Sequence, residues 1–208
     1  MKHIAVAGNI GAGKTTLVKK LSAQFGWEAH FESVEDNPYL EDFYEDMLKW
    51  SFPLQIYFLH SRFNQVVSIH QNQKTTIQDR TIFEDAYIFA KNLHDSGLMQ
   101  TRDFENYFNL FLSMSKQVTP PDLLIYLRAT VPKLTEHIAK RGREYESSIS
   151  IKYLEDLNHC YEEWIGSYDL GKVLIINVNE CDYVNRPEDL SHVFQKVQGE
   201  LYGLFEGN

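Results

Sequence analysis

A three-layer α/β fold, a five-stranded parallel sheet with helices on both faces, is predicted by three observations. Short apolar runs alternate with longer helical stretches along the 208 residues, which is the pattern of parallel strands joined by crossover helices. The first of these runs, Ile4–Ala7, leads directly into Gly8-Asn9-Ile10-Gly11-Ala12-Gly13-Lys14-Thr15, a complete G-x-x-x-x-G-K-[ST] sequence. Pro53, Pro120-Pro121, Pro132 and Pro187 stand where a helix or a strand is about to begin. In chain order the strands are expected at Ile4–Ala7, Glu28–Phe31, Thr75–Gln78, Leu123–Leu127 and Val173–Val178. Helices are expected at about 14–25, 38–48, 52–71, 81–95, 102–117, 131–140, 150–164 and 187–200, with a loose tail over 203–208.

The glycine-rich segment narrows the fold to the P-loop NTPase type. Its glycines let the backbone approach an anion closely, so that successive N–H groups converge on nucleotide phosphates. Lys14 is expected to reach the β- and γ-phosphates, and Thr15 to offer its hydroxyl to Mg²⁺. The competing reading is an ordinary Gly-rich turn between a strand and a helix. The strand before it and the stretch Thr16-Leu17-Val18-Lys19-Lys20-Leu21 after it favour the phosphate loop.

Composition sets the boundaries of function. With 43% hydrophobic and 24% charged residues, the chain reads as one domain, 1–208, able to bury a core unaided. A net charge of −9 repels a nucleic-acid backbone, so a monomeric nucleotide is the expected partner. Cys160 and Cys181 are the two cysteines, without metal-ligand spacing. They fit a reducing cytoplasm, as does Met1-Lys2-His3 entering a strand directly. No apolar run approaches a membrane span in length.

In open α/β sheets, ligands gather beyond the carboxyl ends of the strands. Those ends carry the phosphate loop, Phe31-Glu32-Ser33, Gln78-Asp79-Arg80-Thr81, Leu127-Arg128-Ala129-Thr130 and Asn177-Val178-Asn179-Glu180. A carboxylate facing the phosphate loop suits a general base, and Glu32 is in position for it, whereas Glu35 and Asp36 read as solvated loop residues. Asp79 and Arg80 suit a metal ligand and a phosphate clamp, or simply a structural ion pair. Lys140, Arg141 and Arg143 are consistent either with a phosphate clamp or with helix-dipole compensation.

Over nearly its full length the chain resembles the deoxyribonucleoside kinases. The resemblance is carried by Gly8–Thr16, Phe31-Glu32-Ser33-Val34, Trp50-Ser51-Phe52-Pro53-Leu54-Gln55, Asp79-Arg80-Thr81, Asp85-Ala86-Tyr87-Ile88-Phe89-Ala90, Arg141-Gly142-Arg143 through Glu146, Tyr153-Leu154-Glu155 and Asn177–Glu180. It implies ATP and Mg²⁺ held by Gly8, Asn9, Ile10, Gly11, Ala12, Gly13, Lys14, Thr15 and Thr16, with Thr15 and Asp79 at the metal. Arg141 and Arg143 would belong to a short Arg-rich lid at about 140–149, and Glu180, Cys181 and Asp182 would cradle the donor adenine. Glu32 would take the proton of the sugar 5′-hydroxyl, with Arg80 and Lys14 carrying phosphate charge. Gln55 would bond the base edge, Phe89 would stack on it, and Leu40 and Leu54 would supply apolar wall. Tyr44 and Glu146 would hold the 3′-hydroxyl, and Arg62 with Asp85 would form a charged pair beside the base.

That retained Arg–Asp pair implies deoxyadenosine and deoxyguanosine as preferred acceptors, with deoxycytidine as the alternative. Ser33 departs from the more usual proline, and His137 stands where a further lid arginine often lies. Phe58 is bulkier than in some relatives; it, Phe63 and Tyr87 read as core. The family implies a homodimer, with helices near 52–71 and 102–117 as possible interface or as core. A thymidylate-type nucleoside monophosphate kinase is the nearest rival, although Glu32 and Glu146 would then face the acceptor's phosphate. A GTP-controlled switch is a more distant rival, since N-K-x-D is missing.

Overall fold

The structure, a computed structural model, describes residues 1–32 and 37–203. The expectations placed on Ser33, Val34, Glu35, Asp36 and the tail beyond 203 lie outside the described residues. The chain runs through β1 (His3–Gly8), α1 (Lys14–Phe25), β2 (Glu28–His30), α2 (Leu40–Glu45), α3 (Met47–Gln71) and β3 (Thr76–Asp79). The three-residue turn α4 (Ile82–Glu84) continues through a π-helical segment, Asp85–Ala90, into α5 (Lys91–Asp95). Next come α6 (Thr101–Ser115), β4 (Leu123–Arg128), α7 (Val131–Arg141), a 3₁₀ segment at Glu144–Ser148, α8 (Ile151–Gly166), β5 (Lys172–Asn177) and α9 (Pro187–Tyr202).

All five strands are parallel, in the order β2-β3-β1-β4-β5. The two-residue period of β4 shows why the sheet is covered on both sides. Leu123, Ile125 and Leu127 pack with Leu17, Leu21, Val193 and Val197 of α1 and α9. Leu124 and Tyr126 pack with Leu54, Phe89, Leu157 and Tyr161 on the opposite face. Behind that layer, Leu59 and Val66 of α3 meet Tyr107 and Phe111 of α6.

Every strand end falls within one residue of expectation, and the largest departure lies between the second and third helices. β2 ends at His30, one residue short of Phe31. The second and third helices are divided at Asp46 rather than near residue 50, so Pro53 lies inside α3 instead of opening it. The cause is the Asp46 side chain, which accepts a hydrogen bond from the Lys49 amide at 3.1 Å and starts the helix at Met47, ahead of the expected residue 52. Burial of Ser51, Leu54 and Leu59 then carries the helix past the proline. Pro132 and Pro187 open α7 and α9 as expected.

The register positions the site. Val6 pairs with Asp79 and His30 with Gln78. Two residues beyond the second pair, Glu32 comes level with Arg80, beside the loop that leaves β1.

Candidate active site

The phosphate loop takes the backbone its glycines allow, with positive φ at Gly8, Gly11 and Gly13. Lys14 folds back along it, Nζ donating to the carbonyls of Gly8 at 2.8 Å and Asn9 at 3.1 Å. Burial, reinforced by Arg80, lowers the Lys14 pKa to about 8. The Thr15 hydroxyl donates to Asp79 Oδ2 at 2.5 Å, while the buried Asp79 Oδ1 has no hydrogen-bond partner among the described residues. His137 of α7 binds the Gly11 carbonyl through Nδ1 at 2.8 Å. Since that carbonyl can only accept, Nδ1 carries the proton.

Glu32 lies at the centre of the charge. Its Oε1 accepts from Arg62 at 2.7 Å and stands 3.4 Å from Arg80 Nε. Burial pushes its pKa up, but Arg80 and Arg62 outweigh that and bring it down to about 2. The group is therefore ionised at neutral pH. Arg80 is the one non-glycine with positive φ among the described residues, at 70°, and its guanidinium sits 4.1 Å from the Phe89 ring centroid. Arg62 is fully engaged, with Nε on Asp85 at 3.1 Å and another nitrogen on the Asp79 carbonyl at 3.0 Å.

These groups border a cavity of about 880 Å³, within the range that holds small ligands. On its wall lie Ile10, Gly11, Gly13, Lys14, Thr15 and Thr16 together with Glu32, Leu40, Tyr44, Leu54, Gln55, Arg80, Asp85 and Phe89. Arg141, Arg143, Glu146, Cys181 and Asp182 complete the predicted set there. The π-helical segment brings both Asp85 and Phe89 to this wall. Gln55 is buried, with its Oε1 lacking a hydrogen-bond partner among the described residues.

Several expected positions stand elsewhere. Arg62 is not on the wall; it lies behind Glu32 and Asp85, drawn inward by three oxygen acceptors. Gly8, Asn9, Ala12 and Asp79 are buried beneath the wall, and Glu180 is exposed off it. Glu146 is held by Arg141, at 2.6 and 3.0 Å, and by Arg143 at 3.4 Å. Phe58, read as core, packs against the core and also lines the cavity; Phe63 and Tyr87 pack in the core.

Sequence reasoning missed Phe43 and Tyr145, which share the wall with Tyr183. Tyr183 reaches the Gly13 carbonyl at 3.2 Å. It also missed buried Glu84, which bonds Thr81 and Gly8 and whose pKa burial raises. Here a signal existed: Thr81-Ile82-Phe83-Glu84 has the spacing of a capping box, and the structure contains one.

A phosphate loop beside an ionised carboxylate and buried arginines, opening on a pocket for a small acceptor, defines a P-loop phosphotransferase. The chain belongs to the deoxynucleoside kinase family, whose model matches residues 4–201. It is 37% identical to the deoxyadenosine/deoxycytidine kinase of Bacillus subtilis (strain 168), covering 96% of this chain and 93% of that one. Identity to the deoxyadenosine kinase of Dictyostelium discoideum is 41%, over 93% of this chain and 78% of that one. In three dimensions it is similar to the deoxyadenosine kinase of M. mycoides with bound dATP, at a TM-score of 0.84 and 30% identity, covering 95% and 100% of the two chains. The protein is thus a kinase of deoxynucleosides, and neither the monophosphate-kinase nor the switch reading is retained.

Proposed function

We propose that this kinase moves the γ-phosphoryl group of ATP to the 5′-hydroxyl of a purine deoxyribonucleoside, deoxyadenosine or deoxyguanosine, in nucleoside salvage. The observation that carries this reading is Glu32, an ionised carboxylate on the wall of the cavity that the phosphate loop also lines. The O5′–Pγ bond forms as the bond from Pγ to the β,γ-bridging oxygen breaks; ADP leaves and Glu32 accepts the hydroxyl proton. Both arginine contacts of Glu32 fall on Oε1, and we assign the proton to Oε2. A carboxylate of low pKa suffices, because in a loose transition state the hydroxyl keeps its proton until late and positioning outweighs basicity.

Lys14, Arg80, Arg141 and Arg143 carry the charge of the phosphoryl group. Residues 140–149 form the lid of a single domain, 1–208, its arginines resting on Glu146 and turning to the phosphates. Gln55, with its unpartnered oxygen, reads the base edge, and Phe89 stacks on the base. Leu40 and Leu54 wall the base, and Tyr44 with Glu146 holds the 3′-hydroxyl. Cys181 and Asp182, with exposed Glu180, border the donor adenine. Thr15 and Asp79 suit Mg²⁺, since a hydroxyl and a carboxylate oxygen without a partner leave the other positions to phosphate and water. When bound, the ion supplies charge neutralisation on the donor phosphates.

Two relatives act on deoxyadenosine by name, and the Arg62–Asp85 pair is present at 3.1 Å; both support the purine preference. No described helix is long and apolar enough to cross a membrane. We assign the protein to the cytoplasm as a homodimer without nucleic-acid partners, with Leu110 and Leu112 of α6, exposed at 43% and 38%, on the shared face. The test is kcat/KM for the four natural deoxynucleosides and for deoxyadenosine monophosphate, with ATP and Mg²⁺. Purine deoxynucleosides should exceed thymidine at least about tenfold, as expected where a polar pocket is matched by only some bases. Equal use of thymidine, or preferential use of the monophosphate, would overturn the assignment.

A further inference from the structure

Glu84 is completely buried, it makes no salt bridge among the described residues, and the phosphoryl-transfer steps above do not use it. Isolating a carboxylate in this way is costly unless its hydrogen bonds are met. They are met from two sides. Oε2 takes the Thr81 amide at 2.8 Å and the Thr81 hydroxyl at 3.2 Å, closing the capping box of α4. Oε1 takes the Gly8 amide at 3.3 Å and lies 2.9 Å from the hydroxyl of Tyr161 on α8. That same hydroxyl is 2.8 Å from the Gly8 carbonyl, which also receives Lys14 Nζ. One phenolic proton thus serves two oxygen atoms, so a change at either alters the other.

The two sides of this carboxylate are the two halves of the phosphate site. Thr81 follows Arg80, whose left-handed backbone, at φ 70°, is disfavoured by about 1–2 kcal/mol for a residue with a Cβ. The Glu84 bonds to Thr81 hold the chain just beyond that residue, and this conformation aims the Arg80 guanidinium at Glu32 and across Phe89. On the other side, Gly8 opens the phosphate loop and its carbonyl fixes Lys14. Asn158, one turn before Tyr161 on α8, braces the same loop by accepting from Asn9 at 2.7 Å.

We propose that Glu84, acting through Tyr161 and Gly8 on one side and through Thr81 on the other, is a positioning residue that fixes Arg80 relative to Lys14 for phosphoryl transfer. The proposal rests on the kinase reading above. It touches neither substrate, so its removal should appear in kcat rather than in KM, since misplacing charge-stabilising groups weakens the transition state more than ground-state binding.

The experiment measures kcat, both KM values and Tm for the wild type, Glu84→Gln, Tyr161→Phe and the double variant, with deoxyadenosine and ATP. Expected is a loss in kcat of roughly tenfold or more for Glu84→Gln and about threefold for Tyr161→Phe, KM values staying within about threefold. The double variant should be no slower than Glu84→Gln by more than about twofold, because the two act as one unit. A purely structural role would lower Tm while leaving the kcat of folded enzyme intact. The inference falls if kcat stays within about twofold in both single variants, or if their losses multiply in the double variant. Should Glu84→Gln fail to fold, Tyr161→Phe decides by the same kcat criterion. A wild type without turnover would remove the kinase reading and this inference together; an active wild type with insensitive variants removes the inference alone.

Discussion

Glu32 and His3 show opposite ways in which burial and charge set a titration. Arginines hold Glu32 in its charged form, with a folded pKa of about 2 against 4.5 for the free group. Its contribution to stability is therefore complete above pH 4.5 and disappears as pH falls toward 2. Urea titrations across that window should show a smaller acid loss for Glu32→Gln than for the wild type, and parallel curves would contradict the ion-pair description. His3, buried at the start of β1 with Nε2 at 3.1 Å from Gln78 Oε1, is held neutral by burial, its pKa lowered from 6.5 to about 4. Stability from this source is present above pH 6.5 and declines as pH falls to 4, by at most about 1.4 kcal/mol per pH unit. Replacing His3 with Gln should flatten that slope, and a slope unchanged in the variant would show that other groups set it. Catalysis should not share this pH dependence: kcat/KM should show no limb from Glu32 protonation above about pH 4.

At the scale of elements, the phosphate loop and α7 are built as one piece. A Cβ at Gly11 would lie 2.7 Å from the Leu134 carbonyl oxygen and 2.9 Å from Ile138 Cγ1, at a φ of 84°. Gly11→Ala should lower Tm by several degrees, the left-handed backbone alone being worth about 1–2 kcal/mol. It should also raise the KM for ATP, because α7 ends in Arg141 on the cavity wall and leads directly to Arg143. An unchanged Tm would mean that α7 yields freely. The local elements were legible where one residue type decides them: the apolar runs of β1, β3 and β4, the prolines opening α7 and α9, and the glycines of the loop. Pro53 misled because a side-chain cap seven residues earlier, at Asp46, together with burial further along α3, outweighs one missing amide. The π-helical segment at Asp85–Ala90 had no local signal at all, since its shape depends on the packing of α3, α6 and α8 around it.

For the whole molecule, the parallel sheet turns separated motifs into one site. Gly8, Glu32, Asp79 and Arg80 were readable because each ends a strand, and the order β2-β3-β1 sets those ends side by side. Contacts between distant segments were not readable. Tyr183 meets the loop from 170 residues away and Tyr161 meets Glu84 from 77, and no spacing rule links them. Arg62 illustrates the same limit: its pairing with Asp85 was foreseen, but the additional reach to Glu32, which takes it off the cavity wall, depends on how α3 lies across β2 and β3. Glu32 is the proposed proton acceptor, and the most direct measurement of that role is kcat with deoxyadenosine for wild type and Glu32→Gln, alongside equilibrium ATP affinity. The predicted result is a fall in kcat of at least about 10²-fold with ATP affinity held within about twofold. A variant that turns over within about threefold of wild type would contradict it.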